Sequence, residues 1–330
     1  MSSHQADKSN LSFQKIVVIV GLSLFVIKLF AWYLTKSVAI YSDALESIVN
    51  IISSFLGLYS LYLVTKPKDK NHPYGHGKVE FLSSAVEGVL ITIAGVIIII
   101  EAIQNLFEKT TVLKLDYGIL LVSITALINF LVGYIAIQKG KKTNSIALVA
   151  TGKHLITDTY STIGIVVGLG LIYFLRIPWI DSGVAIIFSL VILYTGYKII
   201  RDSVSGIMDE ADEKLIGQVV ELFKNERNKN LIDLHNLRII KYGSKLHFDL
   251  HITLPYYFTV QEAHDEIENL DHFMNNHFGD RVELFIHTDP CMDFSCKICM
   301  VADCPVRKHE FERTIDWNFD NISQNTKHRI

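Results

Sequence analysis

The sequence predicts a membrane protein in two parts, an all-α bundle of six transmembrane helices followed by a small α+β domain of order αββαβ. Three observations carry this. Half of the 330 residues are hydrophobic and the mean hydropathy is +0.31, too apolar for an ordinary soluble chain. The apolar residues crowd into the first two hundred positions, in six windows that each supply the roughly 20 residues a spanning helix needs. Beyond Arg201 the pattern changes to shorter helical and alternating periods with ordinary charge density.

The six windows are about residues 13–34, 38–64, 81–107, 115–137, 145–175 and 180–200. The polar stretch ahead of them, 1–10, reads as an N-terminal tail, with no apolar run leading to a small-residue cleavage site. An even number of spans puts both termini on one side. Lys66, Lys68, Lys70 and Lys78 follow the second span and Lys139, Lys141 and Lys142 the fourth, against Lys36, Lys109, Lys114 and Arg176 in the opposite loops. The basic excess places both termini in the cytoplasm, and the expected location is a bacterial inner membrane, with the chain multi-pass in its lipid bilayer. The membrane part then covers 11–205. In 206–290, "DEKLIGQVVELFKN" and "VQEAHDEIENLDHFMNNHF" have helical periodicity, while "IDLHNLRIIKY", "KLHFDLHITL" and "RVELFIHTD" read as strands, so helices should cover one face of a sheet. Along "KLHFDLHITL", alternation puts Leu246, Phe248, Leu250 and Ile252 on the core face and His247, Asp249 and His251 on the other. Residues 291–330 read as a tail without periodicity. A net charge of −3 argues against a nucleic-acid partner.

Ionisable residues inside the spans are the sharpest functional signal, because each is costly in hydrocarbon unless it meets a partner or a cavity. In "YSDALESIVNIISSFLGL", Asp43, Glu46 and Asn50 share one helical face, and in "KHLITD" His154 and Asp158 stand one turn apart. Glu46, Asn50, His154 and Asp158 together make a tetrahedral set of three oxygens and one nitrogen for a divalent cation. With His154 neutral, two carboxylates balance its charge; Asp43 is a further candidate. The alternative is that these groups only bridge helices, and for the Asn50 amide the two readings weigh about equally. A second cluster, Asp69, His72 and His76 in "KPKDKNHPYGHGKVE", is gathered by a loop that Pro73, Gly75 and Gly77 force to turn tightly. A third is the set of histidines at strand positions in the αββαβ domain. Cys291, Cys296, Cys299 and Cys304 have spacing x4, x2, x4, outside the standard zinc spacings; they number enough for a tetrahedral site, and a metal-free reduced segment is the equal alternative. In the cytoplasm they are not expected to form structural disulfides.

"HPYGHGKVE" and "KHLITD", in this order among six spans, resemble the cation diffusion facilitators, proton-coupled exporters of divalent metal, over roughly residues 11–290. The resemblance implies a transport site at Glu46, Asn50, His154 and Asp158, a loop site at Asp69, His72 and His76, and a binuclear site at His235, His251, His264, His287 and Asp289. It also implies a homodimer joined through a ferredoxin-like, metallochaperone-like domain, and an ion pair between Lys78 and Asp209 near the membrane surface. The partners would be divalent metal ions and protons, with Zn2+ or another of Fe2+, Co2+, Cd2+ and Mn2+ as cargo and as a ligand of the cytoplasmic sites. This sequence departs from the zinc members' pattern, which has Asp or His at the position of Glu46 and Asp at that of Asn50. His154 still favours zinc or a similar borderline cation over manganese. The competing expectation is a membrane-anchored metal or redox sensor that reads metal with its histidines and cysteines. An enzyme is not expected, since no nucleophile–base set or phosphate loop is present.

Overall fold

The computed structural model describes residues 3–35, 38–105, 115–175, 179–279 and 281–330. They fall into two compact units, Ser3–Met208 and Asp209–Ile330. The first holds six helices where six spans are expected: α1 (Ser3–Thr35), α2 (Val38–Val64), α3 (Val79–Asn105), α4 (Leu115–Thr143), α5 (Ile146–Leu175) and α6 (Trp179–Ile207). Among the described residues, Gln5–Tyr33, Val79–Gln104 and Leu120–Thr143 are each long and apolar enough to cross a membrane. The burial is inverted relative to a water-soluble bundle. Ile19, Phe30, Ile97 and Tyr194 face outward, while Ser53, Ser84, Thr125 and Ser189 are buried between helices. Lipid solvates the first group, and the second lets helices approach and hydrogen-bond.

Two features position α5. Glu80 of α3 accepts hydrogen bonds from Ser145 Oγ at 2.8 Å and from the Ala147 amide at 3.1 Å, serving donors that the α5 N-terminus leaves open. Gly152 meets α4 so closely that a Cβ there would lie 2.7 Å from the Gly133 carbonyl oxygen. Helix α1 begins ten residues before the expected start at 13, so the stretch read as a tail is helical from Ser3. Its polar side chains dock where hydropathy has no signal. Lys139 Nζ donates to Ser9 Oγ at 2.9 Å, Thr143 Oγ1 to Asn10 Oδ1 at 3.2 Å, and Gln14 Nε2 to the Ser54 carbonyl at 3.2 Å.

The second unit runs α7 (Glu213–Asn225), β1 (Asp233–Tyr242), β2 (Lys245–Leu254), α8 (Val260–Phe278) and β3 (Val282–Pro290), the expected αββαβ order. The sheet order is β1-β2-β3, with β1 antiparallel to β2 and β3 parallel to β2 across the α8 connection. Leu246, Phe248, Leu250 and Ile252 face the core, as their alternation predicts, against Val219, Phe223 and Met274 of the helices. Asp212 caps α7 through the Leu215 amide, and a Thr259–Glu262 capping box starts α8. Residues 291–330 depart from the expected tail. After a 3-10 turn, Asp293–Ile298, the chain runs to a short α9, Phe319–Ile322, and buries Trp317 and Ile322 in the same core. Arg227 lies over the Trp317 ring at 4.0 Å and donates to the Ile315 carbonyl. Single side chains delivered by irregular backbone leave no period to read.

Candidate metal sites

In the first unit, α2 packs against α5 and brings three of the four expected ligands together. Asn50 Nδ2 donates to Asp158 Oδ2, and His154 Nε2 lies 2.7 Å from Asn50 Oδ1. The oxygen can only accept, so that bond requires the proton on Nε2. His154 Nε2 is also 3.8 Å from Asp158 Oδ1, and both side chains are buried. The amide thus bridges the carboxylate and the imidazole, satisfying groups that would be costly alone in a bilayer. Among the described residues His154 Nδ1 is buried without a hydrogen-bond partner. Glu46 lies one turn before Asn50 on α2, and its side chain is outside those described. Asp43, a turn further back, is held instead by Lys28 of α1 at 2.8 Å, both side chains buried. One turn before His154, Thr151 donates to the buried Glu87 of α3 at 3.1 Å.

The loop between α2 and α3 gathers Asp69, His72 and His76 so that one ligand atom of each lies within 4.8 Å of the others. Asp69 Oδ1 accepts from the Asn71 and His72 amides at 2.9 and 2.7 Å and contacts His72 Nδ1 at 3.0 Å. His76 Nε2 stands 3.5 Å from Asp69 Oδ2. The turn that brings His76 back passes through Gly75 at φ +91°, which favours glycine. The His72 amide, ahead of the other donors, holds the Asp69 carboxyl below its usual value.

In the second unit, strand register aligns three histidines across the sheet: His235 of β1 opposite His251 of β2, and His251 beside His287 of β3. Asp289 Oδ2 lies 3.3 Å from His235 Nε2 and 3.2 Å from His251 Nδ1, closing a second group of metal-ligating atoms. His287 stacks on His251 with ring centroids 4.6 Å apart, and its Nε2 is 4.0 Å from Asp289 Oδ1. His264 stands apart on α8 and belongs to no such group among the described residues. Burial lowers the His235 pKa and so favours the neutral ring that a metal requires. Lys78 directly precedes α3 in the first unit, and Asp209 opens the second at φ 56°. The four cysteines line a single cavity beside β3.

Three residues around the His235 group carry no sequence signal. Asp233 Oδ1 accepts from His328 Nδ1 at 2.6 Å, Asp233 Oδ2 is 3.6 Å from His235 Nδ1, and Lys327 Nζ reaches Asp289 at 3.5 Å. Burial opposes the Asp233 charge, but hydrogen bonds from His328 outweigh it and hold the carboxyl below its usual range. The contact joins positions 95 residues apart, so no local pattern announces it.

The cation efflux transmembrane domain family matches residues 15–208, and the cation efflux protein cytoplasmic domain family matches 211–291. An uncharacterized transporter of Synechocystis sp. is 32% identical over 251 residues, 76% of this chain and 81% of the relative. The manganese efflux system protein MneP of Bacillus subtilis is 26% identical over 294 residues, 83% and 94% of the two chains. A cadmium, cobalt and zinc/H(+)-K(+) antiporter of Bacillus subtilis is 25% identical over 250 residues, 75% and 79%. With its helical membrane domain, its αββαβ cytoplasmic domain and matches to both, the chain belongs to the cation diffusion facilitator family of metal efflux transporters and is not an enzyme.

Proposed function

We propose that this transporter exports a divalent cation of the zinc class from the cytoplasm in exchange for protons, loading it between α2 and α5. The observation that carries the reading is the group in which half-buried Asn50 joins buried His154 and Asp158. Without metal Asn50 bridges Asp158 Oδ2 and His154 Nε2, and among the described residues His154 Nδ1 is left without a partner. A cation entering from the cytoplasm would take the Asp158 oxygens, an imidazole nitrogen of His154, the Asn50 carbonyl oxygen and, one turn away, Glu46. Both carboxylates and the imidazole must be free of protons to ligate, so protons from the far side displace the ion, and exchange is built into the ligands. The relatives' printed names span manganese and cadmium, cobalt and zinc. An imidazole ligand favours the borderline ions over manganese, and zinc is the expected preferred cargo.

The same reading takes the protein as a homodimer joined through its cytoplasmic domains, with both termini in the cytoplasm and the Asp69 and His235 groups binding metal outside the bilayer. A membrane-anchored sensor would need only those outer groups and leaves the ligands between α2 and α5 without a purpose. The deciding experiment reconstitutes the protein in proteoliposomes under a pH gradient. Uptake of Zn, Cd, Co, Fe and Mn is compared with and without the gradient. Zinc flux that collapses with the gradient is expected; flux indifferent to pH would remove proton exchange from the reading, and absence of any flux would remove transport through this site.

A further inference from the structure

The four cysteines have no part in the transport just described, and they converge from separate places in the chain. Cys291 follows β3, Cys296 lies in the 3-10 turn, Cys299 ends that turn, and Cys304 returns from the loop beyond it. All four line one cavity of about 20 Å3, room for about one water-sized sphere. None is in a disulfide. Hydrogen-bond donors approach the sulfurs: the Tyr256 amide reaches Cys291 Sγ and the Lys308 amide reaches Cys296 Sγ, each at 3.4 Å. Arg307 fixes the frame, donating to the Cys296 and Cys299 carbonyls at 3.1 Å and to the Val301 carbonyl at 2.5 Å, and it lines the same cavity. Its charge offsets part of what four thiolates would bring.

We propose that Cys291, Cys296, Cys299 and Cys304 form a closed site for a single soft divalent cation of the zinc class, which staples the C-terminal segment to the cytoplasmic domain. Four thiolates select a soft or borderline tetrahedral ion, and four protein ligands leave no open position, as a structural site requires. The cavity has room for one ion and not for an iron–sulfur cluster. Among the described residues only the Asp69 and His235 groups already hold three ligand atoms within 4.8 Å of one another. The cysteines close on the ion by rotating about their Cα–Cβ bonds while Arg307 holds the backbone. The need for a staple follows from what else holds this segment. Ile298, Cys299 and Val301 make only a small apolar patch with Ile232. From there the chain runs on to Trp317 in the core and to Lys327 and His328 on Asp289 and Asp233. The ion therefore anchors the segment whose far end reaches the histidine group.

The test uses the full-length protein with cobalt as a probe, since cobalt bound by thiolates absorbs by sulfur-to-metal charge transfer and cobalt bound by histidines and carboxylates does not. The wild type should show that band, and Cys296→Ser with Cys299→Ser should lose it together with one bound ion per chain. Zinc should also slow alkylation of the wild-type cysteines, by about tenfold at ten times its dissociation constant. Cobalt retained without the band, alkylation rates indifferent to zinc, or disulfides in freshly purified protein would each overturn the staple. The alkylation measurement needs no variant, so a double mutant that fails to fold leaves the question decidable. Neither readout depends on flux, so failure of the transport reading would be seen separately.

Discussion

Asp158 is the residue on which the transport reading turns. It is buried and accepts from Asn50, and in the proposed site it would share with Glu46 the negative charge that a divalent ion needs. Asp158→Ala should reduce zinc flux to background while the purified protein keeps its elution volume, with a lowered thermal transition because the Asn50 amide loses its acceptor. PH-driven flux at the wild-type rate in a folded Asp158→Ala protein would sink the assignment. Asn50 allows a finer test, since its amide now bridges Asp158 and His154, as an interhelical cross-link would. Asn50→Asp replaces the donor facing Asp158 with a second acid. The two carboxylates repel, so each holds a proton more tightly, and a metal ion relieves the repulsion. If Asn50 is a ligand, the variant should bind zinc more tightly at high pH and lose it more steeply as pH falls, read by titrating both proteins with zinc across pH. A variant that only melts earlier, with unchanged zinc affinity, would leave Asn50 as a cross-link.

At the scale of elements, the N-cap of α7 makes a pH prediction. Asp212 accepts from the Leu215 amide at 3.0 Å and from Lys241 at 2.5 Å. Burial would raise its pKa, but the Lys241 hydrogen bond and the helix amides together lower it. A carboxyl with a folded pKa below its unfolded value of about 4 stabilises the fold above that value. The contribution is lost as pH falls through the folded pKa. Asp212→Ala should cost about 1 kcal/mol at neutral pH as a lost cap. Asp212→Asn should keep most of the cap and flatten the acid side of the stability profile, since half the Lys241 pair is gone. Thermal unfolding of the full-length variants from neutral pH to about pH 3 reads both; an Asp212→Asn profile that still falls in parallel with wild type would place the acid sensitivity elsewhere. Such elements were legible in the sequence because local rules make them: caps, a 3.6-residue period, and the alternation from Leu246 to Ile252. The first turns of α1 were not, because Ser9 and Asn10 are fixed by partners on α4 more than a hundred residues away.

Across the whole molecule, the candidate ligands on one helix were readable and those assembled from three strands were only partly so. His154 and Asp158 announce themselves by i,i+4 spacing in an apolar run. The alignment of His235, His251 and His287 depends on register, and the irregularity in β1 between His235 and Arg238 breaks the alternation from which register would be inferred. Asp233, Lys327 and His328 join this group only because the C-terminal segment returns to the sheet. The group lies in a domain separate from the candidate α2–α5 ligands, so a metal bound there should act on stability and association and not on each transport cycle. Zinc bound there stabilises whichever form it bridges, by about 2.7 kcal/mol at a hundred times its dissociation constant. Replacing His251 and His287 together by Ala should abolish the zinc-dependent shift in dimer dissociation, measured by sedimentation, while proteoliposome flux falls only in part. The comparison belongs in the Cys296→Ser, Cys299→Ser background, so that cysteine-bound zinc does not contribute. The side chains of His251 and His287 are 24% and 65% exposed, so their loss opens no closed core cavity and the variant should fold. Complete loss of flux in a folded dimer would put these histidines on the obligatory metal path and end their regulatory reading.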